Sequence, residues 1–386
     1  MSETVAQTIS SAEEAAFQID RVRQFVDKEI RPYTSEFDKE QLIPETLIKK
    51  LANNGYLAGN FPKVYGGLEL GPLDYGRLTE EIGRVSPAVR SVLTVHCSLV
   101  GESLLRWGNT EQKEKFLPGM ASGDTLAAFA LSEPSVGSDA RNVETSYTKA
   151  DKGYLINGKK KWITMGARAD LLLVIASCED QVSAFLVDSN TEGIKRSQIM
   201  DLMAGRAAYT AEIEFDNVFV PENHLLGNEG GGFTYIVNTA LDHGRYSIAW
   251  AGLAVAQEAL HAMVKYARKR KQFGTGIYNH QLVQEMISNA VVNVEAARAL
   301  CTKAATLREE QHEDATIQTT IAKQFASKIA NSVANDALQV HGANGFSAEF
   351  IVEQLYREAK VFEVIEGSTQ ILQQVIARHG LTRFHK

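Results

Sequence analysis

The sequence predicts a mainly α-helical fold with a central β domain: an N-terminal helical domain over 1–120, a middle β domain over 121–235 and a C-terminal four-helix bundle over 236–386. Three observations predict it. Up to about residue 120 the chain reads as helices, interrupted by the turn-rich stretch Phe61-Pro62-Lys63-Val64-Tyr65-Gly66-Gly67. From 121 to 235 short apolar runs at Leu171–Ala176, Val182–Val187 and Ala211–Val220 have the length of strands rather than helices. There, Tyr154-Leu155-Ile156 and Lys159–Ile163 flank Asn157-Gly158, which predicts a hairpin. Beyond residue 240 a helical period holds: Leu253, Ala256, Leu260, Val264 and Ala267 share one face, as do Ile317, Ile321, Phe325, Ile329 and Val333. The alanine content of these helices suits close packing in a bundle.

Composition excludes several function classes. A chain of 386 residues with 44% hydrophobic and 23% charged residues builds an ordinary globular core. A net charge of −7 argues against a nucleic-acid surface, which needs a basic stripe. Cys97, Cys178 and Cys301 form no CxxC pair, so neither a disulfide framework nor a thiolate metal site is expected. The N-terminus has no signal-peptide core, and no run approaches the roughly 20 apolar residues of a membrane span. The expectation is a cytoplasmic protein with no membrane partner and no metal.

Six segments are candidates for chemistry. Ser132–Asp139 is a polar turn after the apolar run Ala127–Leu131, and Trp162-Ile163-Thr164 ends a strand. Asp242-His243-Gly244-Arg245 opens a helix, where an N-cap aspartate is explanation enough, and Arg268–Gly274 closes one, where basic residues suit the dipole. Gln339–Gly345 and Ile365–Gln370 complete the set. Each has an ordinary structural explanation when taken alone. There is no Walker loop, HExxH or GxSxG motif, and the glycines of Gly227–Gly232 do not follow a βαβ pattern.

Taken in order, Tyr65-Gly66-Gly67, Leu131–Ala140, Trp162-Ile163-Thr164, Arg270–Gly274, Gln339–Gly345 and Ile365–Gln370 resemble the acyl-CoA dehydrogenase family of flavoproteins. The resemblance implies a helical, β-barrel-like, helical architecture and FAD as cofactor. It implies flavin contacts at Phe129, Leu131, Ser132, Gly137, Ser138, Trp162, Ile163 and Thr164, and at Ser368, Thr369 and Gln370. Arg270, Gln272, Phe273, His280, Gln281, Gln339, Val340, His341, Gly342 and Ala343 would hold the FAD pyrophosphate and adenosine, partly across a subunit boundary. A shared cofactor implies a homodimer or homotetramer. Glu366 matches the catalytic base that removes the proton beside the thioester while the β-hydrogen leaves to the flavin. The family's alternative base position matches Gly244, which cannot serve. The acyl thioester would lie against Arg90, Thr94, Ser138, Asp242, Gly244, Arg245 and Gly367, and an electron-transfer flavoprotein or similar acceptor would take the electrons.

Arg90, on a helix expected to line the acyl pocket, is the departure from the fatty-acyl pattern. A buried guanidinium needs an anionic partner; that partner is either a protein carboxylate such as Glu80 or Glu81, or a polar acyl end. Two branches of the family look similar here. Glutaryl-CoA dehydrogenases also resemble the chain at Arg245-Tyr246 and Ile248-Ala249-Trp250. Carrier-protein-linked dehydrogenases that make hydroxymalonyl units for polyketide biosynthesis resemble it at Arg90-Ser91-Val92, His280–Val283 and Glu363–Ser368, including Ile365 before the base. The resemblance favours the second branch, whose substrate is a small hydroxylated acyl group on an acyl carrier protein. A short-chain or glutaryl-type acyl-CoA dehydrogenase, an acyl-CoA oxidase and a non-catalytic helical scaffold are the alternatives.

Overall fold

The computed structural model describes residues 19–385. Its first part is helical: α1 (Thr34–Glu40), α2 (Glu45–Asn53), α3 (Pro72–Val85), α4 (Pro87–Leu93), α5 (Glu102–Trp107) and α6 (Thr110–Ser122). Ser86 starts α4 by accepting the Val89 N–H, with Pro87 at the first helical position, where a missing N–H costs nothing. Between α4 and α5 the backbone widens into a π-helical stretch, Thr94–Gly101, whose residues are all buried. The helical run Pro87–Trp107 spans 21 residues and is long and apolar enough to cross a membrane by length and composition, contrary to the sequence reading; most of it lies inside the protein.

The middle part is a single curled sheet of β1 (Ala127–Ala130), β2 (Ser146–Ala150), β3 (Gly153–Ile163), β4 (Leu171–Cys178), β5 (Gln181–Asp188), β6 (Ile194–Gln198) and β7 (Ala211–Pro221). β1, β5 and β6 each pair with a single strand among the described residues; β4 carries β5 on one side and, in parallel, β1 and the start of β2 on the other. The apolar runs at 171, 182 and 211 are strands, as expected. The hairpin is not where Asn157-Gly158 placed it. Those two residues lie inside β3, at a register shift against β7, and the turn that reverses the chain is Asp151-Lys152 between β2 and β3. Gly158 has φ +145, and a Cβ there would stand 2.7 Å from the Thr145 Cα, so this glycine serves a bulge and a close strand approach.

A π-helical turn, Gly232–Val237, leads into the bundle of α7 (Asn238–Lys269), α8 (Gln281–Glu309), α9 (Ala315–His341), α10 (Ile351–Val361) and α11 (Thr369–Arg383). Asp242 therefore lies within a helix rather than capping one. Of the predicted stripe, Ile329 and Val333 are buried, whereas Ile317, Ile321 and Phe325 are only partly buried beside the fully buried Thr319, Thr320, Ala322 and Ala326. Small residues of α9 make the close approach to α7. At the crossing a Cβ on Gly252 would lie 2.6 Å from the Ala326 carbonyl, so the two backbones meet where no side chain fits. Gly252→Val must push the helices apart. We expect it to lower stability by about 3 kcal/mol, the upper range for overpacking, read from denaturant unfolding.

Candidate active site

A cleft of about 480 Å³ opens where the sheet, the α4 region, α7 and the loop before α11 meet. From α7 it takes Leu241, Arg245 and Ile248, one helical face; Asp242, His243 and Tyr246, on the next face, line a second cavity of about 770 Å³. The sheet side supplies Phe129, Leu131, Ser132, Gly137, Ser138, Trp162, Ile163 and Thr164; Thr94 comes from the helix opposite, and Glu366, Gly367 and Ser368 from the loop.

A buried ion pair builds the sheet side. Lys160 and Glu133, 0% and 3% exposed, lie 2.7 Å apart. Lys160 also donates to the Leu131 carbonyl, and the Glu133 carboxylate accepts the backbone N–H groups of Glu144 and Thr145. Burial pushes the Lys160 amine down to about 8 against the pull of Glu133. With every partner satisfied, the pair clamps both ends of the Leu131–Thr145 loop to β3. The loop's Gly137 and Ser138 N–H groups make no hydrogen bond among the described residues, and open space surrounds Gly137. Trp162, with φ +64 and 54% exposed, stands at the rim. Free donors, an exposed indole and a wide cleft fit a large planar ring system with polar edges.

Opposite lies Glu366, with φ +53, followed by Gly367 at φ +91. A left-handed glutamate is uncommon, and such strain collects at functional sites. The turn is held from behind: Arg245 Nε donates to the Glu366 carbonyl at 3.3 Å and Lys323 Nζ to the Gly367 carbonyl at 2.7 Å. The Glu366 Oε2 atom is buried without a hydrogen-bond partner. Burial pushes the carboxyl up to about 7, with Arg245, Lys323 and Arg90 pulling it down. A carboxylate with that affinity for protons is a competent base near neutral pH.

Arg90 does not line the cleft as expected from sequence. It is 1% exposed and points behind the wall, where its Nη2 donates to the Ser247 carbonyl and, at 2.6 Å, to the Ser247 hydroxyl. Ser247 in turn meets Thr94 Oγ1 at 3.2 Å, and Thr94 lines the cleft. The carboxylates suggested by sequence are taken: Glu80 pairs with Arg298, and Glu81 with Arg23 and Arg84. No carboxylate pairs with Arg90 among the described residues, and its Nε is unpartnered. Burial lowers its pKa to about 10. Gly83 makes the room, since a Cβ there would lie 2.8 Å from Arg90 Cδ.

Other sequence-predicted residues lie elsewhere. Asp242 is ion-paired with Arg308 at 2.7 Å and faces the second cavity, because it sits one helical face away from Arg245. Gly244 abuts the base: a Cβ there would stand 2.3 Å from Glu366 Oε2. Arg270, Gln272, Phe273, His280 and Gln281, and with them Gln339, Val340, His341, Gly342 and Ala343, do not line the cleft; the Arg270 N–H donates to the Tyr266 carbonyl, and Tyr266 stacks on His341 at 4.1 Å. Phe273 there is 95% exposed. Thr369 and Gln370 begin α11 beside Ser368, whose hydroxyl accepts the Ile371 N–H. The sequence reading missed Lys323, Ser247 and the Lys160–Glu133 pair. A lysine among the buried small residues Thr319, Ala322 and Ala326 was the available signal.

A helical–sheet–helical fold whose cleft sets a buried carboxylate opposite a ring-sized polar wall defines a class: an oxidoreductase that removes a proton from a substrate held against a planar redox cofactor. The chain matches the N-terminal, middle and C-terminal acyl-CoA dehydrogenase domain families over residues 11–124, 128–218 and 230–381. It is 39% identical over 365 residues to an acyl-CoA dehydrogenase of Bacillus subtilis, covering 93% of this chain and 96% of that one. Among solved structures, a glutaryl-coenzyme A dehydrogenase bound to glutaryl-CoA is similar at TM-score 0.92 and 34% identity, covering 96% of this chain and 95% of that one. FkbI, for biosynthesis of the methoxymalonyl extender unit of the polyketide Fk520, is similar at TM-score 0.86 and 30% identity, covering 95% and 99%. The chain belongs to the acyl-CoA dehydrogenase family: an FAD-dependent oxidoreductase acting on acyl thioesters.

Gly244→Ala gives a direct reading of the site. The added methyl must displace the Glu366 carboxylate, a flexible side-chain end, so the fold should survive. We expect retained FAD and melting temperature with flavin reduction by substrate slowed about 10–100-fold, the scale of a misplaced reacting group, measured by stopped-flow absorbance.

Proposed function

We propose that this protein oxidises a small polar acyl thioester, with Glu366 as base and an acyl carrier protein as the thiol carrier, in hydroxymalonyl-type extender-unit synthesis. The observation that carries the polar-substrate reading is Arg90. It is a buried cation with no carboxylate partner, one Ser247 hydroxyl behind the cleft-lining Thr94. An unpaired buried charge costs several kcal/mol, and a polar or anionic acyl end in the cleft offsets that cost. The likeness to FkbI over nearly the whole chain supports the extender-unit part of the reading.

FAD, when bound, supplies the acceptor for the two electrons and the hydrogen leaving the acyl chain. Phe129–Ser138, Trp162–Thr164 and Ser368–Gln370 would hold its ring. The protein's own steps are then few. Thr94 and Ser247, backed by Arg90, orient the acyl end. Glu366 Oε2, stripped of hydrogen bonds, takes the proton, and the surrounding cations stabilise the negative charge that develops on the substrate. Arg270, His280, Gln281 and Gln339–Ala343, remote from the cleft of their own chain, would complete the cofactor site of a second subunit in a homodimer or homotetramer. An electron-transfer flavoprotein or similar acceptor reoxidises the enzyme. The likeness to glutaryl-coenzyme A dehydrogenase favours a second reading, a CoA-bound dicarboxylic acyl group gripped through the same arginine.

The test compares one hydroxylated three-carbon acyl group on carrier protein and on CoA, beside glutaryl-CoA and butyryl-CoA, in wild type and Arg90→Met. We expect the carrier-bound substrate to lead kcat/KM by at least about tenfold. Arg90→Met should cost it roughly 2–4 kcal/mol of transition-state binding and gain relative activity on butyryl-CoA. Equal selectivity in the two proteins sinks the polar-substrate reading; preference for glutaryl-CoA selects the second one.

A further inference from the structure

We propose that Lys323 is a positioning residue for the catalytic turn: its ammonium group pins the Gly367 carbonyl and places a fixed positive charge behind the Glu366 carboxylate. Lys323 is 0% exposed in the middle of α9, flanked by Thr319, Thr320, Ala322 and Ala326, all buried. A lysine in such a place is expensive and ordinarily pairs with a carboxylate. This one forms no ion pair among the described residues, and the 2.7 Å bond to the Gly367 carbonyl is its hydrogen bond. The geometry explains the expense. Glu366 and Gly367 both adopt positive φ, a conformation that costs a residue with a side chain more than it costs glycine. Their consecutive carbonyls are fastened to two different helices, Glu366 to Arg245 of α7 and Gly367 to Lys323 of α9. The fastening fixes the direction in which the base leaves the backbone, against Gly244.

The second consequence is electrostatic. Three cations from three elements face Glu366: Arg245 of α7, Lys323 of α9 and Arg90 of α4. Each favours the ionised carboxylate that burial disfavours. Both arginines stay charged through the neutral range in which the acid limb falls, Arg90 with a pKa lowered only to about 10. Lys323, whose amine burial pushes down to about 8, is the member able to lose its charge. Removing that charge must raise the proton affinity of Glu366 and move the acid limb of flavin reduction to higher pH. A purely structural lysine would change stability or FAD content and leave the limb where it was.

The inference rests on Glu366 being the base, so Glu366→Gln is the control. It should retain FAD and lose substrate-driven flavin reduction by about 10²–10⁴-fold; wild-type reduction in that variant would remove the base assignment itself, whatever Lys323 does. With the control satisfied, the FAD-loaded Lys323→Met enzyme is assayed for flavin reduction between pH 5 and 10, alongside Lys323→Arg. The expected result is an acid limb displaced upward by roughly one pH unit or more in Lys323→Met, with Lys323→Arg returning toward the wild-type profile. An unmoved limb in a flavin-loaded Lys323→Met protein overturns the proposal. Should Lys323→Met fail to fold, Lys323→Gln removes the charge while keeping an N–H for the carbonyl, and the same shift is expected. If neither uncharged variant gives a flavin-loaded protein, the lysine is structural and the proposal falls.

Discussion

A carboxylate that must act as a base is caught between two demands, and the structure around Glu366 follows from them. Water would keep it ionised but also satisfy and weaken it; an apolar wall would strengthen it but leave it protonated. Here Oε2 is buried and unpartnered while three cations stand near. None of the three hydrogen-bonds the carboxylate. Arg245 and Lys323 bind backbone carbonyls, and Arg90 binds Ser247. Their field acts on Glu366 without occupying the lone pair that has to receive a proton.

The bundle makes this placement practical. α7 and α9 cross where Gly252 meets Ala326, so closely that side chains projecting from either helix reach the same turn. Small residues on the crossing faces bring the backbones together, and the long cations are left to the positions that look toward the loop before α11. Two π-helical stretches, Thr94–Gly101 and Gly232–Val237, sit beside the cleft, one starting with Thr94 and the other feeding α7. Widened turns of this kind commonly mark functional segments.

Much of the architecture was legible because it is written in periodicity. The runs at Leu171, Val182 and Ala211 are strands, and the helical period beyond residue 240 marks the bundle helices. Asn157-Gly158 misled because the same dipeptide serves a hairpin and a bulge, and only the partner strand's proximity tells them apart. The aliphatic stripe of α9 was right at Ile329 and Val333 and missed the tightly packed small residues beside Ile317, Ile321 and Phe325, because alanine and threonine carry little hydrophobic signal. At the site, Glu366 and the cleft wall were readable as motifs. The orientation of Arg90 was not, since whether Glu80 and Glu81 are free depends on Arg298 and Arg23, far away in sequence, as well as on nearby Arg84. Lys323 left only a weak signal, a lysine among small residues, because its partner is a backbone carbonyl, which no residue pattern records.

The contact between Gly83 and Arg90 bears on how such a cleft could have arisen. A Cβ at position 83 would meet the arginine's Cδ at 2.8 Å, against helices too tightly packed to yield. A lineage with alanine at 83 could not accept the arginine at 90 without strain, whereas one with glycine could, at a small cost in helix propensity. The glycine therefore had to come first or together with the cation. Loss of the arginine afterwards leaves a void that neither residue alone can refill. Residues 83 and 90 are thus coupled, open to exchange in one mutational order and closed in the other.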